Sequence, residues 1–192
     1  MKPWLIGIAA SVLLFPGTAG AADMEGWFLA GSSPSNYEIQ RDTVATYNGK
    51  PSGRLGSTSQ PKGFGTMMQC MDAADYLGKR VRFSGFVKAK DVKSWAGLWM
   101  RVDGPGNPPK VLAFDNMQKR AIKGTSDFTE YSVVLDVSKD ANGICFGILV
   151  DDEGTVWLSG VKLEPVPLTV PVTNTMNDWR GQKKPKNLDF SH

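Results

Sequence analysis

Between Lys79 and Asp103 apolar and polar side chains alternate with a period of two, and this alternation constrains the fold more than any other feature of the chain. In the first run Val81, Phe83, Gly85 and Val87 share one face, and Arg80, Arg82, Ser84 and Lys88 the other. From Trp95 to Asp103, Leu98, Met100 and Val102 face one way, while Trp99, Arg101 and Asp103 face the opposite way. Each run reads as a half-buried strand. An exposed face that carries an indole, a guanidinium and a carboxylate suits a ligand, so the pattern points to a binding module on an antiparallel sheet.

The remainder of the chain repeats this grammar. Strands are expected at 37–42, 54–57, 64–71, 111–114, 131–137, 144–150 and 155–163, with one helical turn at 72–77. Asn48-Gly49-Lys50-Pro51, residues 104–109, Lys139 to Gly143 and Asp151-Asp152-Glu153-Gly154 supply turn chemistry. The 21 Gly and 12 Pro are spread along the chain, as many turns between short strands require. Nine or ten strands with hardly any helical periodicity predict an all-β sandwich or barrel. Residues 166–192 are rich in Pro, Thr, Asn and Lys and read as a tail. Its Asn187-Leu188-Asp189-Phe190 again looks strand-like and is expected to add an edge strand or to reach a partner.

Residues 1–21 read as a signal peptide: Lys2, an apolar run from Trp4 to Phe15, then Ala19-Gly20-Ala21. The run is too short to span a bilayer, and no second long apolar run follows it. The expected organisation is a leader at 1–21, a sandwich domain at 23–165 and a tail at 166–192, exported to the periplasm or the medium. A net charge of +3, with Lys183-Lys184-Pro185-Lys186 as the single basic run, argues against a nucleic-acid partner.

The chemistry-bearing residues favour binding over catalysis. The single histidine, His192, ends the chain, which is a poor place for a triad imidazole or a metal ligand. Paired carboxylates would be needed for a hydrolase, and most of the acids sit where turns need them. Asp151-Asp152-Glu153-Gly154 reads as a hairpin turn, with EF-hand spacing absent, so structural calcium has no support and no cofactor is expected. Trp99 can stack on a sugar ring, with Arg101, Asp103 and Asp115 making polar contacts and Gln69 beside them. The alternative is a structural Trp99 covered by the tail, with Arg101 bridged to Asp103 or Asp115. Trp27 and Trp157 are expected in the core. Cys70 and Cys145 either pair in an oxidising compartment, closing a long loop worth about 4 kcal/mol, or lie buried as free thiols.

Several segments together resemble a known family. They are Gly26 to Gly31, Gly63 to Gln69, Gly78 to Arg82, Trp95 to Asp103, Val111 to Lys119, Ile122 to Thr125 and Gly154 to Leu158. They are similar to bacterial β-sandwich domains of the galactose-binding-like, carbohydrate-binding-module type, mostly uncharacterised and in some cases labelled transcriptional regulators. The likeness runs from about Gly26 to Pro165. It implies an antiparallel jelly-roll sandwich strongly and a ligand only weakly. This chain carries no helix-turn-helix, and its leader contradicts a role on DNA. The resulting expectation is an exported, non-catalytic module for a glycan or another envelope component. The alternative is a protein-interaction or accessory domain, with a hydrolase a third reading.

Overall fold

The computed structural model describes residues 24–58 and 61–177. The expected leader at 1–21 and the strand-like 187–190 fall outside them. Nine strands follow in order: β1 (Phe28–Gly31), β2 (Tyr37–Tyr47), β3 (Lys50–Ser57), β4 (Phe64–Asp72), β5 (Arg80–Gly104), β6 (Lys110–Asp115), β7 (Ile122–Asp136), β8 (Gly143–Asp151) and β9 (Thr155–Val166). All pairings are antiparallel. Short 3₁₀ turns, such as Ala74–Tyr76, are the only helical elements among the described residues.

The two alternating runs around Lys79 and Asp103 are halves of one strand. β5 is 25 residues long and bends between its halves. Its inward positions are odd-numbered up to Ala89 (Val81, Phe83, Val87) and even-numbered from Val92 onward (Ala96, Leu98, Met100, Val102). This change of parity is a bulge: register against β7 shifts between Ala89 and Val92, and Asp91 takes a left-handed φ of 53°. The bend carries β5 from one layer of the sandwich to the other.

The first sheet therefore runs β2-β3-β9, then the Arg80–Lys90 half of β5, then β7. The second runs β1-β4-β8, then the Trp95–Gly104 half of β5, then β6. Between them lies one core that includes Leu55, Met67, Phe83, Leu98, Met100, Leu135, Ile144 and Ile148, all 1% exposed or less. Tyr37 ties the layers together. Its hydroxyl donates to the carbonyls of Gly63 and Asp152 at 2.7 and 3.1 Å. Its ring lies over Gly65, where a Cβ would come within 2.3 Å of a ring carbon.

Beyond β9 the tail crosses the side of the sandwich where β6 and β7 lie. Nη1 of Arg80 donates to the carbonyls of Leu168 and Val170, at 2.6 Å each. Thr173 clasps β7, its N–H donating to the Val134 carbonyl at 2.8 Å while its Oγ1 accepts from the Val134 N–H at 2.9 Å.

One expected core residue is not in the core. Trp157 lies on the outer face of the first sheet, in register between Arg54 and Lys88, with its indole N–H donating to Asp42 at 2.7 Å. The alternation of β9 explains this, because the core positions there are Val156 and Leu158. Trp27 is half-buried and packs edge-on against Phe146.

Candidate functional site

Register across the second sheet determines what its outer face presents. Trp99 on β5 lies opposite Gly147 of β8, which lies opposite Met68 of β4, which lies opposite Phe28 of β1. The next row contains Gly97, Leu149, Thr66 and Ala30. A third joins Phe114, Arg101, Cys145 and Cys70. At Gly97 a Cβ would stand 2.8 Å from the Asn116 carbonyl oxygen, so the close approach of that loop requires glycine.

On this face the side chains of Phe64, Trp95, Trp99, Arg101, Phe114, Asn116 and Leu149 enclose a depression of about 330 Å³. Trp99 forms its floor: it is 8% exposed, and its indole N–H donates to Thr66 Oγ1 at 2.7 Å. The Thr66 hydroxyl donates onward to the Ile148 carbonyl at 2.9 Å. These bonds hold the indole N–H end in place. Trp95 and Phe114 are half-buried and Phe64 is exposed, so their rings form walls that a ligand can reach.

Arg101 is the charged side chain in this lining. Its Nε and Nη2 both donate to Oδ2 of Asp103, at 3.1 and 2.9 Å. The Asp103 side chain is 8% exposed, whereas the arginine side chain is 39% exposed. The pairing holds the guanidinium in place while its remaining N–H groups stay available as donors. Asp103 is itself withdrawn from the surface, and its Oδ1 is buried without a hydrogen-bond partner. It acts as the anchor of Arg101 rather than as a contact of its own.

Two other residues expected in this group are elsewhere. Gln69 lies opposite Phe146, a core residue, so it faces away from Trp99 and packs its amide near Gly26. Asp115 lies opposite Met100, on the core side of β6, and is fully buried. Its Oδ2 accepts from Arg120 Nη2 at 2.6 Å, and its Oδ1 accepts from the Met117 N–H at 2.9 Å. Asp115 therefore fixes the turn after β6. Both misplacements have one cause: two residues share a face only if their strands are in the right register, and register is a tertiary property.

Cys70 and Cys145 sit directly opposite each other on β4 and β8, their Cα atoms 4.1 Å apart, and are joined as a disulfide. The bridge lies on the outer face in the same row as Arg101. Residues missed by sequence reasoning are Phe64, Phe114, Asn116 and Leu149. Outward parity was readable for Leu149 from the alternation of β8, whereas Phe64 and Phe114 lie in runs without a clear alternation and Asn116 follows the end of β6. Among the described residues, no group of three or more His, Cys, Asp or Glu side chains is placed to hold a metal ion.

No family model matches the chain. It is 44% identical over 169 residues to the uncharacterized HTH-type transcriptional regulator YbfP of Bacillus subtilis (strain 168), an alignment that takes in 87% of this chain. The chain spans only 57% of that relative's length. Solved structures share the fold. The CBM22-1–GH10 modules of Clostridium thermocellum endo-1,4-β-D-xylanase 10B, complexed with xylohexaose, align with a TM-score of 0.55 at 16% identity, covering 78% of this chain and 28% of theirs. The CBM22-1 xylan-binding domain of Paenibacillus barcinonensis Xyn10C aligns with a TM-score of 0.52 at 14% identity, covering 73% of this chain and 86% of its own. At such identities the likeness is one of fold. The class it defines is the all-β, carbohydrate-binding-module type of sandwich, as the sequence resemblance implied. The regulator label that accompanied the resemblance recurs in the Bacillus relative.

Proposed function

We propose that the chain is an exported, non-catalytic module that binds a glycan chain on the outer face of its second sheet. The observation that carries this reading is the depression between β4, β8, β5 and β6, with aromatic walls and a guanidinium fixed at its side. Aromatic rings offer their faces to the C–H surfaces of pyranoses, and a pre-oriented arginine donates to hydroxyls at a lower entropic cost than a free one. One consideration disfavours hydrolysis. The acids at this end of the sheet, Asp103 and Asp115, are both buried and ion-paired, so neither is free to act as acid or base across the depression. Export is supported by the leader-like residues 1–21 and by a disulfide suited to an oxidising compartment. Among the described residues, no helix is long and apolar enough to cross a membrane.

A second reading, docking of a protein partner, draws on the spread of the apolar face beyond the depression: Phe28, at the β1 edge, is 46% exposed. An immobilised panel of xylohexaose, cellohexaose and mannohexaose separates the two. Glycan binding predicts that at least one is retained by the wild type and lost in Trp95→Ala and Arg101→Ala, with Trp95→Ala still melting as the parent does. Retention by neither parent nor variants would replace the glycan with a protein partner, to be sought by crosslinking in envelope extract.

A further inference from the structure

We infer that the strap formed by residues 167–177 is a positioning element of this depression, with Asn174 and Thr175 holding Phe114 in its wall; the inference rests on the glycan-binding reading above. β6 is six residues long and pairs only with β5, so its other edge carries unpaired backbone groups. At Phe114 both are taken up by the strap. The Phe114 N–H donates to Asn174 Oδ1 at 3.3 Å, and the Thr175 hydroxyl donates to the Phe114 carbonyl at 3.0 Å. Asn174 is set for this task by its own turn, because the same Oδ1 accepts the Met176 N–H at 3.0 Å.

The strap is also fastened to the opposite layer. Thr173 is clasped to Val134 of β7, and Arg80 holds the carbonyls of Leu168 and Val170 while its Nε and Nη2 pair with Asp136 at 2.7 and 3.0 Å. A segment bound to both sheets fixes a short edge strand that one ladder alone would leave free to shift. The Phe114 ring lies opposite Arg101 in the lining, so a shift of the Phe114 backbone widens the depression and moves its wall away from the guanidinium. Affinity depends on such sub-ångström placement, because contacts that must first be ordered by the ligand return less free energy. Binding and strap docking are then linked, and each strengthens the other.

The test uses the full exported chain and the same three hexasaccharides. In Asn174→Leu/Thr175→Val the two bonds to Phe114 are removed, whereas Asn174→Asp/Thr175→Ser keeps an acceptor and a donor in place. We expect the first pair to weaken binding about tenfold, equivalent to ~1.4 kcal/mol, and to speed hydrogen exchange at the Phe114 amide while the melting temperature changes little. The second pair is expected to restore both readouts, and saturating hexasaccharide is expected to slow Phe114 exchange in the wild type. Unchanged affinity with faster exchange would overturn the inference and leave the strap as an edge cover. A loss of affinity that tracks a fall in melting temperature, and that the conservative pair does not restore, would also overturn it. Failure of the wild type to bind any of the three would remove the glycan reading itself, and this inference with it.

Discussion

On the outer face of the first sheet, Arg54 pairs with Glu38 at 2.6 Å, Arg82 with Glu164 at 2.6 Å and Lys88 with Asp127 at 3.0 Å. Its aromatic residues satisfy one another or a carboxylate: Tyr47 stacks on Phe86 with centroids 3.9 Å apart, and Trp157 donates to Asp42. The Asp42 carboxyl is held below the usual carboxylate range, chiefly by the Ala45 N–H and then by the Trp157 indole. On the outer face of the second sheet, the rings of Trp95, Phe64 and Phe114 enclose open space and one ion pair stands at its side. The two faces are built from the same strand alternation. They differ in whether outward aromatic rings are covered by neighbours within the sheet. Covered rings make a solvated wall, and uncovered rings around Gly97 and Gly147 leave a depression.

Five variants would break or sharpen this contrast. The largest effect is expected from opening the disulfide, which staples only the second sheet. Residues 70 and 145 are 75 apart in sequence, so Cys70→Ala/Cys145→Ala should lower stability by about 4 kcal/mol on the chain-entropy model. Denaturant midpoints with and without thiol check the size. Hydrogen exchange that accelerates no more in β4 and β8 than in β3 and β9 would show that the bridge does not distinguish the sheets.

Next comes the floor indole. Trp99→Ala removes a buried ring and should cost about 3–4 kcal/mol. The half-buried Trp157 should cost roughly half as much on truncation, mainly through its packing and its bond to Asp42. Equal losses of melting temperature for the two would mean that the faces are not energetically distinct.

Tyr37, which bridges the layers, should lose about 1–2 kcal/mol as Phe, because two part-buried hydrogen bonds to the Gly63 and Asp152 carbonyls are lost. Burial, reinforced by Asp151 and Asp152, pushes its phenol up to about 12. A raised folded value means that the contribution is whole below the free phenol value of about 10 and is lost as pH rises through 12. Stability curves of wild type and Tyr37→Phe should therefore converge over that interval; parallel curves would remove Tyr37 as the cause. The smallest effect belongs to Glu38→Gln on the first sheet, expected within about 0.5 kcal/mol because exposed pairs are screened. A larger cost would mean that the ionic face is more than solvated surface.

Much of this architecture was readable in the chain, because inward and outward positions follow from period two. The core residues Val81, Phe83, Leu98, Met100 and Val102, and the outward placement of Trp99 and Arg101, needed nothing else. Even the bend in β5 is written in the sequence as the switch from odd to even apolar positions, although the two runs read most simply as separate strands. The site was legible only in part. Trp99, Arg101 and Asp103 lie on one strand, two residues apart, so alternation alone placed them on one face. Gln69 and Asp115 lie on other strands, and alternation cannot relate one strand's faces to another's.

The sequence by itself determined that this would be an all-β chain with Trp99, Arg101 and Asp103 on one face of a strand, since a two-residue period with frequent turn residues suits few other folds. Tertiary structure decided which rings converge with Trp99, that Asp103 anchors Arg101, that Asp115 is withdrawn into the turn after β6, and that residues 167–177 strap the β6–β7 side. Those outcomes depend on strand register and on packing between distant segments. A one-residue slip in either would reverse the face of every side chain on a strand while leaving its local pattern unchanged.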